Sequence, residues 1–276
     1  MTNRDTWLEI FASCKDNIKA CIEPHLNMIG KPQPSLGTGA GGDPMKPVDL
    51  AAENAIVKTI RQYDVSFTLI SEESGVQEYG KTPKECYVTV DPIDGTTNFV
   101  RGLPFFASSI AVSSAPVLSA VYAGIVADLV HNTAYTAIKG KGAFCNTKRI
   151  SSSTMSSLDD AVIGLDLNTN NVGEIAPQLT RLIQKAGHIR HFGANALELC
   201  YVAEGLTDAF VDIRGKLRTT DVAAGMLILK EAGGTITTHK DETFDAKLDP
   251  KERIKFVASG NKNIHKSIIN LVKPKC

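Results

Sequence analysis

Neither sign of charge is in excess in this chain of 276 residues, where 30 Lys and Arg face 30 Asp and Glu. With no overall field to draw the protein onto nucleic acid or an anionic membrane, any anion it binds must be held by a local site. No Cys-x-x-Cys pair occurs among Cys14, Cys21, Cys86, Cys145, Cys200 and Cys276. Most of them sit in apolar periodic segments, which reads as buried thiols in a reducing, cytoplasmic compartment rather than a disulfide frame. No apolar run approaches the roughly 20 residues of a membrane span, and the opening MTNRDTWLEIF is too acidic and too quickly periodic for a secretory signal. His25, His131, His188, His191, His239 and His265 are scattered without HExxH or other zinc spacing. Repeats and low-complexity tails are absent too. What remains is an ordinary globular composition, 43% apolar and 22% charged, sufficient for one large core or two halves.

Helices alternate with strands along the chain. Trp7, Phe11, Cys14, Ile18 and Ile22 recur at helical spacing and predict an amphipathic helix over about 4–28. A glycine-rich loop from Gly37 to Pro44 follows, and then a second helix to about Tyr63 that Asp49 is placed to cap. The segments FTLI (67–70) and YVTV (87–90) read as strands, each running at its C-terminal end into acids: Glu72-Glu73 and Asp91. From about 107 to 150 the composition predicts an antiparallel meander. The serine-rich segment 151–157 marks a boundary, so an α+β half over 1–155 and an α/β half over 156–276 are expected. In the second half a helix opens near Thr220 with an acid, Asp221, in its first turn.

The segment DPIDGTTNF, from Asp91 to Phe99, interrupts this pattern. Pro92 cannot continue a strand ladder, so a turn is predicted straight after Asp91 that brings Asp94 to the same side. Carboxylates held that close repel and raise each other's pKa unless a cation lies between them, and hard divalent ions such as Mg²⁺ take such oxygen ligands. Gly95, Thr96 and Thr97 then offer backbone N–H groups to an anion. Asp, Pro and Gly are also the usual formers of a plain surface turn. Glu72 and Asp221, recurring at element ends where α/β sheets present their sites, weigh against that plain reading.

These residues resemble the motifs of the inositol monophosphatase family of Mg²⁺-dependent, lithium-sensitive phosphatases: Glu72-Glu-Ser74, DPIDGTTN from Asp91 to Asn98, and TDVAAG from Thr220 to Gly225 followed by Glu231-Ala-Gly-Gly234. The resemblance extends over nearly the whole chain. GAGGDPMKPVD, ending at Asp49, and DIRGKLR, from Asp212 to Arg218, are similar to the archaeal branch, whose members often hydrolyse both fructose 1,6-bisphosphate and inositol 1-phosphate. The motif departs from the commonest form by carrying Thr220 where tryptophan usually precedes the aspartate, and by Asp43-Pro44-Met45 where a threonine often precedes the lysine.

The resemblance implies a layered αβαβα sandwich, a homodimer and two or three Mg²⁺ ions per subunit, with Li⁺ as an inhibitor. Glu72, Asp91 and the carbonyl of Ile93 would hold one ion, Asp91, Asp94 and Asp221 a second, and Glu73 would help a weaker third. Gly95 and Thr96 N–H groups would bind phosphate, and Asp94 would also reach a substrate hydroxyl. Glu72 and Thr96, with Asp49 behind Thr96, would orient or deprotonate the attacking water, with no covalent intermediate. Asp49 reads equally as a helix cap. Arg190, Asn195, Asp212 and Arg214 would approach the sugar or inositol side, although lone arginines at strand ends are often only solvated; Lys46 and Arg218 are open in the same way. Fructose 1,6-bisphosphate and inositol 1-phosphate lead as substrates. Inositol phosphate alone, NADP or adenosine 3′,5′-bisphosphate are the alternatives, with a non-catalytic sugar-phosphate-binding regulator as the reading from another class.

Overall fold

The computed structural model describes residues 4–31 and 33–273. Helix α1 (Arg4–Leu26) and helix α2 (Pro47–Gln62) precede the first sheet. That sheet has eight strands: β1 (Phe67–Ser71), β2 (Gly75–Tyr79), β3 (Tyr87–Asp94), β4 (Ala107–Ser113), β5 (Val121–Asp128), β6 (Thr133–Ile138), β7 (Gly142–Cys145) and β8 (Lys148–Ile150). They lie in the order β2-β1-β3-β4-β5-β6-β7-β8, and a short helix α3 (Thr96–Arg101) follows β3. From β4 onward the ladder is the antiparallel meander that the composition predicts.

The second sheet contains β9 (Val162–Leu165), β10 (His188–Arg190), β11 (Ala209–Asp212), β12 (Thr235–Thr238) and β13 (Phe256–Ser259) in the order β10-β9-β11-β13-β12. Helices α4 (Val172–Lys185), α5 (Asn195–Glu204), α6 (Thr219–Glu231) and α7 (Lys262–Val272) complete the chain. Three apolar layers hold these parts together. The α1–α2 pair packs on one face of the first sheet through Trp7, Phe11, Ile56, Phe67 and Val90. α5 and α6 fill the space between the sheets with Leu197, Leu199, Val222 and Leu229 against Val126 and Phe210. α4 and α7 cover the outer face of the second sheet with Leu179, Leu182, Ile264 and Ile268 against Ile163 and Val211. β11 shows the alternation that makes this possible, Phe210 facing the middle layer and its neighbours Ala209 and Val211 the outer one. The result is the expected αβαβα sandwich. α6 is buried without interruption from Thr219 to Leu229, as a helix apolar on all sides must be.

Local differences from the sequence reading have physical reasons. The turn expected straight after Asp91 is instead a bulge: β3 runs on to Asp94, with Asp91 opposite Ser109 and Asp94 opposite Ala107, so three steps on β3 face two on β4. Pro92 is tolerated because the bulge already breaks the ladder there. α2 begins at Pro47 with Lys46 as its N-cap, so Asp49 is not the cap residue; it sits one turn in and accepts the Lys46 N–H at 2.8 Å. β2, with three exposed residues in a row, and β12, only four residues long, were not read as strands from the sequence. Cys14, Cys21, Cys86, Cys145 and Cys200 are free thiols; Cys276 lies outside the described residues. Among the described residues no helix is long and apolar enough to cross a membrane.

Candidate metal and phosphate site

β1 and β3 are parallel neighbours with Ser71 paired to Val90. The next residue on each strand, Glu72 and Asp91, is therefore delivered to the same end of the sheet. Asp221, in the first turn of α6, arrives there from the second half of the chain. Carboxylate oxygens of Glu72, Asp91 and Asp221 lie within 4.8 Å of one another. Burial raises the pKa of Glu72 and Asp91 well above the carboxylate range, and for Asp91 the nearby Glu72, Asp94 and Asp221 add to the rise. Such a donor set, all hard oxygen, nearly dry and mutually repelling, fits Mg²⁺ or a similar cation, and not a thiolate- or imidazole-seeking metal.

The cluster lines a cleft of about 490 Å³ between the two sheets. Asp43, Asp49, Glu72, Glu73, Asp91, Asp94, Asp166 and Asp221 line it, against Lys46, Arg101, Arg214, Lys216 and Arg218. Carboxylates outnumber cations, so a phosphate dianion gains a favourable place only if added cations reverse the local charge.

Asp94 lines the cleft but is turned toward α5. Its Oδ1 accepts the Asn195 N–H at 2.8 Å and its Oδ2 accepts those of Ala196 and Leu197 at 2.7 and 3.4 Å. It therefore ties the first half to the N-terminus of α5, and its remaining lone pairs face the cleft. Burial and Asp221 raise its pKa to about 7 against the lowering effect of these donors. Gly95, at φ +88°, turns the chain into α3; a Cβ there would lie 3.1 Å from the Ala194 Cβ and the Phe105 carbonyl, so a side chain would be strained and would press its neighbours aside. Thr96 donates its hydroxyl to the carbonyl of Ile93 at 2.9 Å and to Asp49 Oδ1 at 3.2 Å. Asp49 is 2% exposed, and burial lifts its pKa to about 6 despite these donors.

On the substrate side the expectations divide. Asn195 lines the cleft, and its buried Oδ1 has no hydrogen-bond partner. Arg214 lines it too, but its guanidinium is gripped by Asp212 and, at 2.5 Å, by Asp166. Asp212 is fully buried behind Arg214 and does not reach the cleft, a correction to its expected contact with substrate. Arg190 is a second correction. It is exposed, donates to the neighbouring Ile189 carbonyl and does not line the cleft, because β10 is the edge strand of its sheet.

Sequence reasoning missed Asp166 and Asn168 in the loop after β9, Lys216 before α6 and Arg101 at the end of α3, which converge on the cleft and carried no local signal. Glu73 lines the same cleft as Glu72. Glu73 carries a buried Oε2 without a partner, and burial, with Asp49 and Glu53 nearby, pushes its pKa up to about 8. Glu53, in α2, accepts the Ser71 hydroxyl and the Ser74 N–H and so steadies the turn that carries both glutamates.

The profile of the inositol monophosphatase family matches residues 21–275. The chain belongs to that family. This family member is 40% identical over 97% of its length to the fructose-1,6-bisphosphatase/inositol-1-monophosphatase of Methanothermobacter thermautotrophicus, covering 96% of that protein. It is 32% identical to the bifunctional NADP phosphatase/NAD kinase of Methanococcus maripaludis, where 96% of the chain spans 49% of the relative. A crystal structure described as an inositol monophosphatase-fructose 1,6-bisphosphatase superposes with a TM-score of 0.84 at 30% identity, over 96% of this chain and 99% of that one. The family is one of metal-dependent phosphatases, and its members share the layered α+β fold described above.

Proposed function

We propose that this member of the family is a Mg²⁺-dependent phosphomonoesterase that hydrolyses small sugar and cyclitol phosphates, fructose 1,6-bisphosphate and inositol 1-phosphate foremost. The observation that carries the reading is the convergence of the buried Glu72, Asp91 and Asp221 within 4.8 Å in a cleft where carboxylates outnumber cations. The M. thermautotrophicus relative, named for both activities, supports the substrate pair.

Glu72, Asp91, Asp221, the carbonyl of Ile93 and the free lone pairs of Asp94 would hold the ions. Bound there, divalent ions neutralise the phosphate, sharpen a water as nucleophile and stabilise the leaving oxygen. The protein's own residues do the rest by positioning, which is most of what phosphoryl transfer requires. Backbone N–H groups at Gly95 and Thr96 face the phosphate oxygens. The Thr96 hydroxyl lies within reach of two acceptors, the Ile93 carbonyl and Asp49 Oδ1; with that carbonyl engaged by an ion its one proton would turn to Asp49 and its lone pairs to the attacking water. As the water oxygen bonds to phosphorus in line, its proton passes to Thr96 Oγ1 and the Thr96 proton passes to Asp49; the ester P–O bond breaks and the leaving oxygen takes a proton from solvent. A carboxyl with a pKa near 6 suits that acceptor role near neutral pH.

Phosphate release from fructose 1,6-bisphosphate, inositol 1-phosphate, NADP and adenosine 3′,5′-bisphosphate, each with and without Mg²⁺, tests the reading. Mg²⁺-dependent release with the highest kcat/KM on the first two is expected. Preference for NADP would favour the activity named for the M. maripaludis relative. Mg²⁺ binding with no release from any of them would make the protein a non-catalytic binder.

A further inference from the structure

The carboxylate cluster already contains a cation supplied by the chain. Arg218 Nη2 lies 2.7 Å from Glu72 Oε1, Nε lies 3.1 Å from Asp221 Oδ1, and Nη1 lies 2.8 Å from Asp43 Oδ2. Its backbone N–H adds a bond to Asp221 Oδ2 at 2.8 Å. The side chain is only 11% exposed. A guanidinium is a planar fork that spans two carboxylates at once and stays charged at any pH the protein meets. Glu72 and Asp221, two of the three acids that define the cluster, are bridged by that fork.

A divalent ion bonded to the same oxygens, at roughly 2.1 Å for Mg²⁺, would stand directly beside the guanidinium nitrogens, like charge against like in a nearly dry pocket. Both can approach these carboxylates, but each weakens the hold of the other. We propose that Arg218 is an internal counter-ion of the metal site: its guanidinium and the divalent ion compete for Glu72 and Asp221, and metal loading displaces the guanidinium. The inference rests on the metal-binding reading above.

The surroundings couple this exchange to the glycine loop. A Cβ on Gly41 would lie 2.6 Å from Arg218 Nη1 and 3.0 Å from Glu72 Cγ, so the loop backbone rests directly on the pair. The Gly41 N–H donates to the Glu72 carbonyl at 2.7 Å, and Arg253 Nη2 donates to the Gly41 carbonyl at 2.6 Å. Asp43, the outer anchor of Arg218, belongs to the same loop and is 71% exposed. Release of the guanidinium therefore also gives up one of the loop's anchors, the pair with Asp43.

Two measurements test the exchange. In the first, Mg²⁺ is titrated calorimetrically into the metal-free full-length chain and its Arg218→Met variant, and thermal unfolding of both is followed in chelator. The variant is expected to melt at a lower temperature without metal, having lost the counter-ion, and to bind Mg²⁺ about tenfold more tightly, a typical size for coupling between two ligands. Equal or weaker Mg²⁺ binding by a folded variant, with the wild type binding normally, would overturn the inference and leave the metal reading standing. No Mg²⁺ binding by the wild type would overturn both.

The second measurement uses the wild type and survives a variant that fails to fold. The Arg218 Nε–H resonance, assigned in the wild type by through-bond correlation to its own backbone amide, is followed by nuclear magnetic resonance as Mg²⁺ is added. Loss of its protection from solvent exchange at saturation is expected. Protection retained at saturation would show a guanidinium that stays on Asp221 beside the metal, and the inference would fail.

Discussion

Thr96 Oγ1 and Asp49 Oδ1 lie 3.2 Å apart, a contact that joins the start of α3 to the first turn of α2 across 47 residues of sequence. Asp49 also accepts the Lys46 N–H through its other oxygen, so one carboxylate both closes a helix end and receives the hydroxyl that faces the cleft. The two readings of Asp49 from sequence, helix terminus and supporting base, are compatible because its two oxygens are divided between them.

Asp49→Asn and Thr96→Val should each lower kcat by about 10²–10³, within the usual range for a general base. As one proposed relay, they should give a double variant little worse than the poorer single one. Multiplying losses in a steady-state double-mutant cycle would show that they act separately.

Asp91→Asn should abolish Mg²⁺-dependent turnover while leaving the chelator-treated protein at least as heat-stable as the wild type. Its charge is buried beside Glu72, Asp94 and Asp221, which disfavour it in the absence of metal. Melting curves with and without Mg²⁺ read this directly: the wild type should gain stability from Mg²⁺ and the variant should not.

Gly95→Ala should cost about 1–3 kcal/mol, the usual strain of a non-glycine residue held at positive φ. It should also reduce turnover, since the new Cβ meets Ala194 and the Phe105 carbonyl beside the N–H groups proposed to bind phosphate. Chemical denaturation and kcat measured on the same preparation would check both effects.

Arg214→Ala should lower kcat/KM for fructose 1,6-bisphosphate more than for inositol 1-phosphate, because only the former carries a second phosphate for the proposed contact with Arg214. Equal losses would rule out such a contact. Stability should fall as well, by about 3–5 kcal/mol, since removing one partner of a buried ion pair strands the other and here leaves Asp166 and Asp212 facing each other. Adding Asp166→Asn to the variant should recover part of that loss.

Glu198, 3% exposed in α5, accepts the Gly193 N–H at 3.1 Å, and its other oxygen has no partner. Burial chiefly, with Asp94 and Asp166 nearby, raises its pKa from 4.5 to about 8. The folded chain therefore keeps a proton that the unfolded chain loses, and this group's contribution to stability declines as pH rises from 4.5 to about 8. Glu198→Gln should flatten the decline of melting temperature across that window, measured at fixed Mg²⁺. An unchanged slope would show that Glu198 is ionised in the folded protein.

Much of the site was legible because it is written in short local patterns. Two strands ending in acids, a proline and glycine between Asp91 and Gly95, and an acid opening the helix at Asp221 are features of a few residues each. Donor chemistry depends only on residue type. The strand bulge at Pro92 escaped because a turn and a bulge use the same residues; which one forms depends on whether β4 is there to pair with Asp94. Arg190 and Asp212 were misplaced because whether a side chain at a strand end reaches a cleft depends on the strand's place in the sheet and on what packs over it.

The sequence by itself determined which groups are available: hard oxygen ligands, a glycine that admits a left-handed turn, a threonine beside it and no charge excess to act at a distance. Only the tertiary structure decided which of them meet. The parallel register of Ser71 with Val90 sets Glu72 beside Asp91, and the docking of α6 between the sheets brings Asp221 from some 130 residues away. The same docking lays Arg218 across two of those acids, and the place of β10 in its sheet leaves Arg190 at an edge. Contacts between distant segments come from the packing of whole layers, and no local run of residues encodes them.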